Sequence, residues 1–166
     1  MEQESTRSDK TTKEQGEAEA RVAVPPEILL GYRLWQASHL WQRQVGRELK
    51  PLGLTPVRYV LLAAAYHLIN CGQAPSQIRL SDFTGVEKMM VSKNLRVLAA
   101  EGYISRTASA TDRRVVEVRL TAAGREILQR AFAAALAAHD SVFRVLGEEW
   151  SRMNGLLRSL IRGHMA

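Results

Sequence analysis

Two clusters of side chains dominate what this chain can do chemically, and both are cationic. One is Lys88, Met89, Ser92, Lys93 and Arg96; the other is Asp112, Arg113 and Arg114 within "TDRRVVEVRLT". Lysine and arginine reach phosphate oxygens or the acceptor edge of guanine, serine can bond to either, and Met89 adds one apolar contact. An acid beside two arginines can hold a guanidinium in an extended pose through a bidentate pair. Such groups suit recognition of a polyanion.

The alternatives to recognition find little support. Four histidines are scattered, and no metal-binding helix motif, nucleophile elbow or phosphate-cradling glycine loop occurs. No pair of carboxylates stands out, so an enzyme is not expected and no cofactor is assigned. Cys71 is the single cysteine, which excludes an intrachain disulfide and fits a reducing compartment. His67 and Cys71 are four apart and could share an ion, but two ligands are too few, and no metal is assigned.

The first cluster needs a helix. Val91, Leu95 and Leu98 recur at helical spacing, which turns Met89, Ser92, Lys93 and Arg96 outward and leaves Lys88 at the open N-terminal turn. The Met89–Met90 pair is expected to divide, with Met90 toward the core. A shorter apolar piece, Leu80 and Phe83, precedes Gly85, and two short helices about a glycine turn outline a helix-turn-helix. The second cluster needs a hairpin. "YISRT" and "VVEVRL" read as strands, with Val116, Val118 and Leu120 on one face and Glu117 and Arg119 on the other. Arg113 and Arg114 then fall at its tip, and Arg106 lies in its first strand. A basic tip one groove away from the reading helix can enter a minor groove or clasp the backbone.

Longer helices flank this lobe. Pro25 and Pro26 start one whose apolar residues are Leu30, Leu34, Ala37, Trp41 and Val45, and Pro51 closes it. Thr55 and Pro56 start a second through Val57, Val60, Leu61, Ala64 and Leu68. Thr121 caps a third through Leu128, Phe132, Ala135, Val142 and Leu146, and a last helix from Glu148 carries Trp150, Met153, Leu157, Leu160 and Ile161. The fold class is therefore mainly α with a small β-hairpin wing.

With 166 residues, 46% of them hydrophobic and 24% charged, the chain can bury a real core in one domain. Residues 1–24 carry six acidic and four basic groups and almost nothing apolar, so they read as a disordered polar arm before a single domain over 25–166. The overall charge of +6 therefore understates how basic the remainder is. No apolar run spans a bilayer, and the reading is cytoplasmic with no membrane partner.

"LTP", "LSDFTGVEKMMVSKNLRVLAAEGYISR", "DRR" and "VRLTAAG" together resemble the winged helix-turn-helix of the multiple antibiotic resistance regulator (MarR) family. By element order the similarity runs from about residue 27 to residue 163, and it is closest over residues 80–124. The resemblance implies a homodimeric bacterial transcription factor, with a DNA-binding lobe over about 55–120 and dimerisation helices over about 27–50 and 122–163. It makes Lys88 to Arg96 the recognition surface and Arg113 and Arg114 the wing arginines, with double-stranded DNA as partner. It also implies a pocket for a small aromatic or carboxylate effector, for which Trp35, His39, Arg58 and Tyr59 are the candidates. Met89 and Met90 depart from the family, which commonly has small or hydroxylated residues early in that helix. A protein-interaction module that keeps the winged helix without specific DNA binding is the alternative.

Overall fold

Pro25 and Pro26 precede and open helix α1, Pro26–Leu49, where a missing N–H costs nothing. The fold is known from a computed structural model that describes residues 25–108 and 116–164. The polar arm expected over 1–24, and the tip residues Asp112, Arg113 and Arg114, lie outside the described residues.

After α1, a 3-10 turn at Lys50–Leu52 contains Pro51 and ends on Gly53 in the left-handed region. Helix α2, Pro56–Asn70, is capped by Thr55, whose Oγ1 accepts the Arg58 N–H at 3.3 Å. Helices α3, Gln77–Thr84, and α4, Lys88–Ala100, form the expected helix-turn-helix. Strands β1, Ile104–Ala108, and β2, Val116–Leu120, pair antiparallel, with Ile104 opposite Leu120 and Arg106 opposite Val118. Helix α5, Ala122–Phe143, a 3-10 turn at Arg144–Leu146 and helix α6, Glu149–Arg162, complete the order. The described chain forms two compact units, one ending at Gln36 and one beginning at Ala37. Among the described residues no single helix is long and apolar enough to cross a membrane.

The core belongs to the second unit. Val45 and Leu49 of α1, Leu61 and Leu62 of α2, Leu80 of α3, Val91, Leu95 and Leu98 of α4, Val118 of β2 and Leu128 of α5 are essentially inaccessible. Each such side chain is worth about 1.5–3 kcal/mol of transfer free energy. Helix α2 is buried more widely than one stripe, because α3, α4, α5 and β2 all lie against it. Leu62 and Ala65 are therefore buried alongside Leu61 and Leu68, while Val57 and Val60 are only half-buried.

Phe83 and Leu146 behave differently from their periodicity. Phe83 is exposed and stacks on the His67 ring, with centroids 5.3 Å apart, so it seals α3 against α2 from outside the core. Leu146 falls in the 3-10 turn after α5, because the chain breaks its helix there and Gly147 takes φ +53°.

The wing is joined to the helices at its base. Thr121 Oγ1 donates toward the carbonyls of Gly102, at 2.7 Å, and Tyr103, at 3.1 Å, while accepting the Gly124 N–H at 2.9 Å. Gly124 lies so close to Tyr103 that any Cβ there would strike the Tyr103 carbonyl, which explains the glycine in "LTAAG". Val118 N–H also donates to Pro75 O at 2.8 Å, tying β2 to the segment just before α3. Val118 and Leu120 are buried as expected, but Val116, farther out, is exposed because the hairpin extends past the core.

Candidate nucleic-acid interface

The turn that aims α4 is held by small side chains. Gly85 ends α3 with φ +69°, and its N–H donates to Ser81 O at 2.9 Å. Ser81 Oγ donates to Val86 O at 2.7 Å, while Thr84 Oγ1 donates to Leu80 O at 2.6 Å and accepts the Val86 N–H at 3.3 Å. These bonds tie the last turn of α3 to Val86, two residues before α4 begins. On its inner side Asn94 is buried beside Val91, Leu95 and Leu98, and its Nδ2 donates to Met90 O at 2.8 Å.

The outer side is what the periodicity requires. Lys88, Met89, Lys93 and Arg96 are exposed and Ser92 is half-exposed. With Gln77, Met90 and Val97 they line an open groove of about 850 Å³. Arg96 Nε donates to Ser92 O at 3.4 Å, which lays the guanidinium along the helix. Glu87 occupies the N-cap without a side-chain capping bond, so the first N–H groups of α4 keep their capacity to bind an anion.

Three groove residues escaped the sequence reading. Met90, expected toward the core, is 41% exposed, because Asn94 and Val91 already fill the inner side of that turn. Gln77, in the first turn of α3, donates from Nε2 to Lys88 O at 3.4 Å and so stands beside the start of α4. Its contact crosses eleven residues and leaves no local pattern. Val97 lies at the groove's far end. Arg106 is exposed on β1, on the strand face that Ile104 buries nearer the base. Asp112, Arg113 and Arg114 lie outside the described residues.

Of the four expected pocket residues, Trp35 belongs to the first unit and His39, Arg58 and Tyr59 to the second. Arg58 is committed elsewhere: Nη1 donates to Glu101 Oε1 at 3.0 Å and to Gly53 O at 3.4 Å. That pair ties the start of α2 to the end of α4, and the guanidinium already has its carboxylate. Tyr59 is half-buried with its ring edge-on to Phe132, centroids 6.1 Å apart, and burial raises its phenol above the ordinary 10.0. His39 is half-buried on α1, and Trp35 stacks on Tyr32 at 6.3 Å within the first unit.

A different concavity, of about 470 Å³, opens between the end of α2, the turn before α3, β2 and the first turn of α5. Tyr66, Ile69, Pro75 and Leu120 give it apolar walls, and Arg119, Arg125 and Glu117 are its charged lining residues. Arg125 Nη1 donates to Leu120 O at 2.9 Å, and Arg119 lies 3.9 Å from Glu117. At the end of α2, Cys71 Sγ is 3.7 Å from His67 Nε2. Among the described residues no three histidine, cysteine or acidic side chains converge as a metal site would require.

Comparison with known proteins adds independent findings. The MarR family model matches residues 54–116. Over 101 residues the chain is 39% identical to an uncharacterized HTH-type transcriptional regulator, YdcH, of Bacillus subtilis (strain 168), covering 61% of this chain and 69% of that protein. Among solved structures, the Mycobacterium tuberculosis MarR family protein Rv2887 in complex with p-aminosalicylic acid is 29% identical. It superposes with a TM-score of 0.63 over 79% of this chain and 97% of its own. CouR from Rhodococcus jostii RHA1, bound to p-coumaroyl-CoA, is 26% identical with a TM-score of 0.67 over 79% and 88% of the two chains.

Proposed function

The chain belongs to the MarR family of helix-turn-helix transcriptional regulators, and from that premise we propose that it is a homodimeric, ligand-responsive repressor acting in the cytoplasm on a pseudo-palindromic duplex operator. The observation that carries this reading is the outward face of α4, cationic along its length and following a turn held by the Ser81 and Thr84 side chains. In it each α4 enters a major groove, with the two copies about one helical turn, roughly 34–36 Å, apart. Lys88, Lys93 and Arg96 serve phosphate or guanine, Ser92 and Met89 touch base edges, and Arg106 and the wing arginines Arg113 and Arg114, oriented by Asp112, take the flanking backbone or minor groove.

The second copy covers apolar side chains that one copy leaves open. Helix α6 buries no residue, and Trp150, Leu160 and Ile161 are all exposed along it. Leu30, Leu34 and Trp35 of α1 are likewise exposed. Large apolar areas of this kind are rare on monomers. Two helical faces are therefore assigned to dimerisation.

The effector is assigned to the class of small aromatic compounds carrying a carboxylate or an equivalent acyl group, since the two solved relatives hold p-aminosalicylic acid and p-coumaroyl-CoA. The concavity beside β2 has the apolar walls and the two arginines for such a ligand. Occupancy there bears on the base of the wing, and a ligand that prefers one wing pose shifts the population toward it.

Selection from a random duplex pool, with and without cell metabolites, tests the reading. Enrichment of an inverted repeat supports it; no preference even in dilute buffer favours a protein-interaction module instead. Replacing Arg113 and Arg114 together with glutamine is expected to weaken binding and flatten its salt dependence. Unchanged affinity and slope would remove the wing from the account.

A further inference from the structure

Met89 is out of keeping with its surroundings. It is 76% exposed in the first turn of α4, flanked by Lys88, Lys93 and Arg96 on a face otherwise suited to anions. The fold does not need it, because Val91, Leu95 and Leu98 supply the packing of this helix. Its thioether points instead into the open groove. Phosphate and sugar offer an unbranched apolar side chain little to pack against. In the major groove of an unmodified duplex the apolar group on a base edge is the C5 methyl of thymine. A recognition helix meets base edges with its N-terminal residues, and a methionine there is long and adaptable enough to reach past flanking lysines.

We propose that Met89 packs on the C5 methyl of one thymine in each half-site, making that T·A pair a specificity determinant of the operator. The proposal rests on the DNA-binding reading above and adds a residue-level rule to it. Met90, at 41% exposed, lines the groove from the same turn and serves as the internal control. A 5-methylcytosine carries the same methyl at the same ring position, so the two sources must be told apart by experiment.

The test uses the full-length protein and the sequence enriched from a random duplex pool. Each thymine of the half-site is replaced singly by deoxyuridine, which removes the methyl and keeps every hydrogen-bonding group. One position is expected to lose about fourfold in affinity per half-site, and about fifteenfold when both half-sites are changed, the worth of one buried methyl each. Met89→Ala should bind the thymine duplex more weakly and no longer distinguish it from the deoxyuridine duplex, whereas Met90→Ala should keep the distinction. Both variants should melt with the wild type, since neither side chain belongs to the core. At the sensitive position a 5-methylcytosine duplex should bind better than a cytosine duplex but less well than thymine.

A flat deoxyuridine scan on a tightly bound sequence, or a scan that Met89→Ala leaves unaltered, would overturn the proposal while the DNA-binding reading stands. Loss of the distinction in Met90→Ala alone would overturn it in favour of that residue. Tighter binding to 5-methylcytosine than to thymine would overturn it in favour of methylated DNA. Failure to enrich any sequence would overturn both.

Discussion

Helices α4 and α6 carry the same kind of apolar stripe, yet α4 is sealed inside its own lobe and α6 is not. Val91, Leu95 and Leu98 are essentially inaccessible, so the opposite face of α4 has a defined direction and can be used for reading. Trp150 and Leu160 of α6 remain 44% and 51% exposed, although their spacing is as regular. Periodicity therefore says which side of a helix is apolar and nothing about what covers it. In α4 the cover is α2, α3 and β1 of the same chain; in α6 we assign it to a second copy.

That contrast predicts opposite consequences for similar changes. The largest effect is expected for Leu160→Asp combined with Ile161→Asp. By charging the uncovered face these should leave the lobe folded, yield a monomer in sedimentation equilibrium and lower operator affinity on the order of a hundredfold or more, because two linked half-sites become one. A dimer that persists would show that α6 is covered by something other than its counterpart. Next comes Leu95→Ala, which removes packing beneath the reading face and should cost about 2–5 kcal/mol in denaturant unfolding. If Leu95→Ala is nearly silent, α4 is not anchored as the burial implies.

Smaller effects separate the face from its support. Lys93→Ala should weaken binding about equally across operator sequences and reduce the slope of log affinity against log salt by about 1, with unfolding unchanged. A sequence-dependent loss would move Lys93 from phosphate to a base edge. The smallest effect concerns Tyr59. Burial raises its phenol above 10.0, so the folded state favours the neutral form. The stability this contributes is present below pH 10.0 and is lost as pH rises through the higher folded value. Tyr59→Phe should flatten that alkaline decline in thermal melts, and an identical decline in both proteins would assign it to other groups.

The helix order, the glycine turn at Gly85, the Thr55 and Thr121 caps and the cationic face of α4 were legible in the sequence, because each follows from short-range spacing. Phe83, Met90 and Arg58 were not. Whether Phe83 enters the core depends on how α3 lies on α2, and His67, sixteen residues earlier in the chain, supplies the surface it stacks on. Arg58 looked free for a ligand until the fold brought Glu101 to 3.0 Å, forty-three residues away. Gln77 joined the reading face for the same reason, through its bond to Lys88.

Local order along the chain thus dictated the elements, their caps and the sign of their exposed faces, since backbone geometry couples residues three and four apart without help from the rest of the molecule. Tertiary packing decided which charges stay available, which apolar stripes are covered, and where the concavity beside the wing opens. Those outcomes depend on contacts between residues far apart in the chain, and no short window of sequence contains both partners of such a contact.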